Sequence, residues 1–112
     1  MSFRCTGGSQ FQQLNEWKAH QTGNLATITK IEGARREFHD QFKATMPLVS
    51  LVRGLGGHLA LELPCHCMYW SQPLLAQFVE RYALLIAELD GCMYGLVAKH
   101  GADAGQLLLK HW

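Results

Sequence analysis

The chain has 112 residues, of which 48% are apolar and 17% are charged, and its formal net charge is +1. The length predicts a single domain over residues 1–112, and the composition excludes a disordered, collagen-like or low-complexity chain. A net charge near zero also excludes a strong whole-molecule attraction to nucleic acid, anionic membranes or acidic ligands.

The first part of the chain predicts a strand, a glycine loop and a helix. Residues 1–5 are expected to form a short strand, and the Thr6-Gly7-Gly8-Ser9 sequence breaks that pattern. Ser9 then serves as the N-cap of a helix whose apolar residues are Phe11, Leu14 and Trp17. A turn at residues 21–24 ends this helix.

A long amphipathic helix is predicted from Leu25 onward. Its apolar residues recur at spacings of three, four and seven. Pro47 is expected to kink or split the helix, because proline removes one hydrogen bond and crowds the preceding turn. The glycines that follow Arg53 then end it. The apolar residues concerned are Ile28, Ile31, Phe38, Phe42, Val49 and Val52.

The second half alternates short apolar runs with one helix. Strands are predicted over residues 58–63, 84–89, 93–99 and 107–110, with a turn at Asp90 and Gly91. Ser71 and Pro73 mark the start of a helix that continues through Tyr82. This order predicts an α/β fold: a small, mostly parallel sheet of three to five strands with helices on its faces and a C-terminal β-hairpin.

Residues that follow parallel strands are the first candidates for a site, because ligands bind beyond the carboxyl ends of such strands. If the first two strands are neighbours, Cys5 and Glu62 lie at the same end of the sheet. The loop Thr6, Gly7, Gly8 and Ser9 precedes a helix N-terminus, where backbone N–H groups can bind an anion and lower a thiol pKa. The alternative is a small buried cysteine beside a tight turn.

Other loop residues at the same end are weaker candidates. Tyr69 and Trp70 could stack on a base, although such side chains more often cover the edge of a core. Asp90 could orient a ligand, although Asp-Gly is first a turn signal. Cys65, Cys67 and Cys92 are soft ligands, but a lone C-x-C argues against zinc, so no metal is expected.

Cellular location follows from the cysteines and from the absence of targeting signals. No basic region followed by a long apolar run opens the sequence, and no run approaches the roughly 18 apolar residues that span a bilayer. We therefore expect four reduced thiols in a soluble protein of the cytoplasm or the nucleus, with no membrane partner.

Three segments together resemble a known family. They are Cys5 with its small-residue loop, the Glu62-Leu63-Pro64 segment, and the sequence DGCMYGL that begins at Asp90. The chain resembles the second half of the catalytic domain of cytosine-5 DNA methyltransferases. It is still more similar to methyltransferase-like open reading frames associated with mobile elements in protists, which carry CTGGS, EWP and DGC-x-x-GL segments in this order.

The resemblance implies half of a Rossmann-like methyltransferase fold and a defined chemistry. The Cys5 thiolate would add to C6 of a flipped-out cytosine, and Glu62 would protonate or hydrogen-bond N3. However, Arg4 stands where the family has proline, and the segments that bind S-adenosylmethionine and read DNA are missing from these residues. The resemblance therefore supports ancestry more strongly than activity.

The resulting expectation is a methyltransferase-like module without methyltransferase activity of its own, which binds nucleic acid or another protein and holds no cofactor. One alternative is a cysteine-nucleophile enzyme that uses Cys5 and Glu62 and obtains S-adenosylmethionine through a second chain. Another is a structural fragment that forms homo-oligomers, because a truncated sheet exposes a strand edge and apolar helix faces.

Overall fold

A computed structural model describes residues 1, 3–102 and 104–107. In these residues the secondary structure is helical: α1 covers Gln10–Thr22, α2 covers Leu25–Gly54 and α3 covers Pro73–Arg81. Two short 3-10 turns lie at Met68–Ser71 and Gly91–Tyr94. Predicted helices at all three places are thus confirmed.

Local capping explains where α1 and α2 begin and end. The Ser9 hydroxyl accepts a hydrogen bond from the Gln12 amide at 3.3 Å, as expected for an N-cap. Gly23 ends α1 with φ of 67°, a left-handed conformation that favours glycine. Asn24 then caps α2 by accepting from the Thr27 amide at 3.1 Å. The two helices therefore form a hairpin with a very short connection.

Pro47 does not split α2, which runs unbroken for 30 residues. The proline is exposed, as is Lys43, whose carbonyl loses its helical partner. Water can hydrate that carbonyl on the outer face, so the helix continues past the proline. It ends at Gly54, close to the predicted end, and Gly56 follows with φ of 78°.

The core is aromatic and lies between α2, α3 and the turn at Met68–Ser71. Phe38 stacks on Tyr69 with ring centroids 3.8 Å apart, and Phe42 meets Phe78 edge to face at 5.0 Å. Phe3 packs against both Phe38 and Phe42. Burial of large apolar side chains is the main favourable term in folding, so this cluster holds the elements together. The fully enclosed side chains are Tyr69, Phe42, Leu63, Leu75 and Val49.

The predicted α/β fold is wrong. The described residues form no sheet: they contain single bridge residues at Glu62 and Asp90 and an isolated antiparallel bridge between Val97 and Leu107. A strand needs a neighbour to supply its ladder of hydrogen bonds, and a short apolar run does not specify that neighbour. Half of a Rossmann-like fold is therefore excluded for this part of the chain. Residues 108–110 of the last predicted strand lie outside the described residues, as does Ser2 of the first.

Residues 58–63 keep one property of the predicted strand. Leu59, Leu61 and Leu63 pack toward the core, whereas His58 and Glu62 are exposed, which is a period of two. The Met1 amino group donates to the Ala60 carbonyl, and the Glu62 amide donates to the Met1 carbonyl at 3.1 Å. This is the hydrogen-bond pattern of a single parallel bridge, so among the described residues the first two predicted strands meet at Met1.

Residues 84–89 have no such neighbour among the described residues. The Leu84 amide donates to the Val79 carbonyl at 3.0 Å and its side chain packs on the core. Residues 85–89 make no main-chain hydrogen bond with the described part of the chain. Near the C-terminus, the Gly105 amide donates to the Ala98 carbonyl at 2.8 Å and the Ala98 amide donates to the Gln106 carbonyl at 2.9 Å. Within the described residues, the predicted hairpin consists of these contacts and the bridge between Val97 and Leu107.

Gly8 sets a sharp limit on substitution at the start of α1. A Cβ atom at this position would lie 2.9 Å from Cys67 Sγ and 2.9 Å from Tyr69 Cδ1. We expect Gly8→Ala to lower the free energy of unfolding by about 1 to 3 kcal/mol through overpacking. Urea unfolding followed by circular dichroism measures this change.

Gly33→Ala is the matched control. Gly33 lies within α2 with no atom within 4 Å of an added Cβ, so alanine should raise stability by about 1 kcal/mol through helix propensity. Equal stabilisation by both alanines would show that the close approach of Gly8 to Tyr69 is absent in solution.

Candidate functional site

The predicted glycine loop is a structural anchor. The Cys5 carbonyl accepts hydrogen bonds from the Gly8 and Ser9 amides, each at 2.9 Å, and the Met68 amide donates to the Gly8 carbonyl at 2.8 Å. A Cβ atom on Gly7 would lie 2.6 Å from the Tyr69 hydroxyl. The loop therefore packs directly on the Met68–Ser71 turn, and this side of it has no space for an anion or a base.

Tyr69 lies in the core, where its ring is enclosed by Phe38 and the glycine loop. Its hydroxyl is buried and makes no hydrogen bond among the described residues. Burial raises the pKa of this phenol, and the nearby Cys67 thiol raises it further. The Gly7 backbone amide lowers the pKa and so offsets part of the increase. Stacking on a flipped base would require Tyr69 to leave this position.

Arg35 of α2 joins the loop to α1. Its Nε donates to the Gly7 carbonyl at 2.9 Å, and its two terminal nitrogens donate to the two carboxylate oxygens of Glu16. This bidentate contact lowers the pKa of the Glu16 carboxyl and raises that of the Arg35 guanidinium. Sequence reasoning missed both residues, because nothing in the pattern of charges along the chain pairs these two positions.

The thiols of Cys5 and Cys67 lie on the core side of this loop. Cys5 is half-buried and packs against the hydrophobic cluster, and Cys67 is buried. Burial raises the pKa of the Cys67 thiol, and the Tyr69 backbone amide offsets part of this shift. Glu62 lines an apolar groove between residues 58–63 and residues 84–89, whereas neither Cys5 nor Cys67 lines it. The proposed pair of Cys5 and Glu62 does not share that groove, and its catalytic role stays a prediction.

The apolar groove, of about 1210 Å³, lies between residues 58–63 and residues 84–89, and α3 contributes to its wall. Three of the predicted site residues line it: Glu62, Cys65 and Trp70. Trp70 is fixed there because its Nε1 donates to the Pro64 carbonyl at 3.0 Å. The groove therefore brings together three predicted site residues that lie outside the hydrophobic core.

The walls of the apolar groove are unusually exposed. Leu85 is 97% exposed, Ile86 is 69% exposed and Leu89 is 40% exposed. Sequence reasoning assigned these residues to a strand because the run is apolar and short. This prediction is wrong. Because no described strand pairs with the run, its apolar side chains form an exposed surface.

Charged groups on the groove are mostly acidic. Glu62, Glu80 and Glu88 line it, and among the described residues Arg53 is the only arginine or lysine that does so. The Arg53 guanidinium donates to the Gly57 carbonyl at 3.3 Å, which holds it at one end of the groove wall. The groove therefore combines an apolar surface with a net negative rim.

Cys65 is the thiol of the apolar groove. Desolvation raises its pKa, and the nearby Glu88 and Asp90 carboxylates raise it further. Asp90 thus lies near the Cys65 thiol, and its role in orienting a ligand stays a prediction. Among the described residues no group of three or more His, Cys, Asp and Glu side chains is arranged to hold a metal ion. The side chain of Cys92 is not among those that the structure describes.

Thr6 lines a second, smaller cavity of about 230 Å³. Arg4 and Lys30 supply positive charge there, and Glu37 supplies negative charge. The mixture of signs gives this cavity no clear preference for an anion. Thr6 and Ser9 therefore have different structural roles. Thr6 lines a surface cavity, and Ser9 caps α1.

No protein-family model, curated protein or solved structure matches this chain. In the part of the chain that the structure describes, no helix is both long enough and apolar enough to span a membrane.

The ion pair between Glu16 and Arg35 predicts a specific pH dependence of stability. The folded-state pKa of Glu16 lies below its ordinary value of 4.5, so its stabilising contribution is present above that pH and is lost as the pH falls through the folded pKa. We expect Glu16→Gln to cost about 1 to 2 kcal/mol at pH 7 and to flatten the stability profile below about pH 4.5. Urea unfolding at pH 3 to 7 measures both effects, and a cost independent of pH would contradict the assignment.

The environment of Cys65 predicts slow alkylation. A raised pKa leaves little thiolate at pH 8, and removal of the neighbouring charge in Glu88→Gln should increase the thiolate fraction. We expect iodoacetamide to modify Cys65 about threefold faster in this variant. Peptide mapping by mass spectrometry separates Cys65 from the other thiols. The control is Glu80→Gln, because Glu80 lines the groove without acting on Cys65. An unchanged alkylation rate of Cys65 in Glu88→Gln would show that the Glu88 carboxylate does not affect the pKa of this thiol.

Proposed function

We propose that this chain is a protein-binding module whose apolar groove binds an apolar segment of another protein chain that carries basic residues beside it. One observation carries the proposal: the Leu85 and Ile86 side chains stand exposed beside a cavity large enough for several side chains. An exposed apolar patch with polar groups at its rim is typical of interaction sites.

One wall of the apolar groove is anchored to the core. Leu59 and Leu61 on this wall pack against the hydrophobic cluster, and Met1 bonds to the main chain there. On the opposite wall, the Leu85 and Ile86 side chains are exposed. A bound segment can therefore pack between an anchored wall and exposed apolar side chains.

Charge favours a protein segment over nucleic acid at this groove. Glu62, Glu80 and Glu88 repel phosphates, and nucleic-acid affinity depends on neutralising phosphates with Lys and Arg. The same carboxylates attract lysine and arginine side chains that flank an apolar segment. Of the two partner classes expected from the sequence, the groove supports the protein partner.

A lysine-flanked peptide tests the proposal. The probe is a fluorescein-labelled peptide with four central leucines and two lysines at each end, and the protein is titrated into it while anisotropy is measured. We expect saturable binding that Leu85→Ser weakens about tenfold, because a buried leucine contributes about 1.5 to 3 kcal/mol. A peptide with glutamates in place of the lysines should bind more weakly.

Leu48→Ser is the matched control. Leu48 is an exposed leucine of α2 that does not line the groove, so its replacement should leave peptide binding unchanged. An equal loss of affinity in the two serine variants, or no saturable binding at all, would refute the proposal.

A further inference from the structure

Helix α1 turns its polar side toward the protein and its apolar side outward. Glu16 bonds to Arg35 of α2, and Ala19 is the buried residue of the helix. Phe11 is 79% exposed, Leu14 is 49% exposed and Trp17 is 60% exposed. Their spacing of three residues places them along one side of the helix, so we call them the α1 apolar stripe. Such an orientation reverses the usual one for a surface helix.

The α1 apolar stripe has positive charge beside it. The single carboxylate of α1, on Glu16, is neutralised by Arg35, whereas Lys18 is exposed and no described carboxylate pairs with it. An outward apolar stripe with a basic flank is the kind of segment that the acidic rim of the apolar groove attracts.

Both surfaces belong to the same chain but do not meet within it. The residues that line the apolar groove include none from α1. The short connection at Gly23 and the contacts of Arg35 with Glu16 and Gly7 hold α1 along α2. One copy therefore carries an uncovered apolar helix and an uncovered apolar groove of opposite charge.

We propose that α1 of one copy docks in the apolar groove of a second copy, in a head-to-tail contact. The inference rests on the proposed function and names a second copy of this chain as the partner. The contact covers the α1 apolar stripe and the exposed leucines of the groove together, and it brings Lys18 near the carboxylates of the rim. Because the two surfaces differ, each added copy leaves one stripe and one groove free, and assembly continues until a ring closes.

Two variants and their mixture test this contact. The helix variant carries Phe11→Gln and Trp17→Gln, and the groove variant carries Leu85→Ser and Ile86→Ser. Sedimentation velocity and native mass spectrometry should show concentration-dependent oligomers for the wild type and monomers for each variant alone. Mixed in equal amounts, the variants should form a heterodimer and nothing larger, because one intact stripe meets one intact groove. Leu48→Ser serves as the control and should assemble like the wild type.

Each other result overturns the inference. A wild type that stays monomeric up to about 100 μM lacks the contact at any useful affinity. Persistent dimers of the groove variant would indicate pairing of two α1 stripes, and persistent dimers of the helix variant would indicate pairing of two grooves. Monomers in the mixture would exclude docking of the stripe in the groove. Circular dichroism of each variant confirms that its helices are intact.

The helix variant also separates this inference from the proposed function. It retains the apolar groove and has lost the stripe, so the lysine-flanked peptide can be titrated without competition from self-association. Peptide binding by this variant together with a monomeric wild type would remove the second copy as partner and keep the groove as a binding site. Absence of peptide binding would remove the proposed function itself.

Discussion

The rest of the structure depends on the close approach between the glycine loop and Tyr69. Gly7 and Gly8 have no Cβ atom, and any Cβ there would overlap the tyrosine ring, its hydroxyl or the Cys67 sulfur. That approach lets the ring stack on Phe38 while the Gly8 carbonyl accepts the Met68 amide. The start of α1 is thereby fixed on the core, although α1 buries little apolar surface of its own.

Polar contacts replace apolar packing in holding α1 in place. Arg35 reaches both the Gly7 carbonyl and the Glu16 carboxylate, so one guanidinium ties the loop and the helix to α2. The pair is partly shielded from water, with each side chain about one fifth exposed, which strengthens it relative to a fully exposed ion pair. Because polar bonds orient this helix, its apolar residues are free to face outward.

Helices could be predicted from the sequence because their signals are local. Ser9 and Asn24 as caps, Gly23 as a stop and the spacing of Ile31, Phe38 and Val49 all act within a few turns of the chain. Strands depend on neighbours far away in sequence, and residues 84–89 carry no local sign of whether a neighbour exists. The sheet was therefore predicted wrongly from runs that are apolar for other reasons.

The candidate site could likewise be predicted where the signal was local and not where it depended on contacts distant in sequence. Glu62 and Trp70 were singled out because they lie at the carboxyl end of a predicted strand and in the loop that follows it, and they do line the apolar groove. Tyr69 was considered for base stacking, with cover of a core edge as the commoner alternative. It lies fully in the core, because the tertiary approach of the glycine loop encloses its ring. The exposure of Leu85 could not be foreseen, since it results from a missing strand and not from the residue.

A net charge of +1 conceals an uneven distribution that bears on partner choice. Residues 1–56 carry seven Lys and Arg against four Asp and Glu, whereas residues 57–112 carry three against five. The fold uses one of the first-half cations, on Arg35, to neutralise Glu16, and it places three second-half carboxylates on the apolar groove. Opposite charges therefore lie beside two different apolar surfaces. A groove with this rim gains little from phosphates, but it can gain both apolar burial and charge attraction from a helix such as α1.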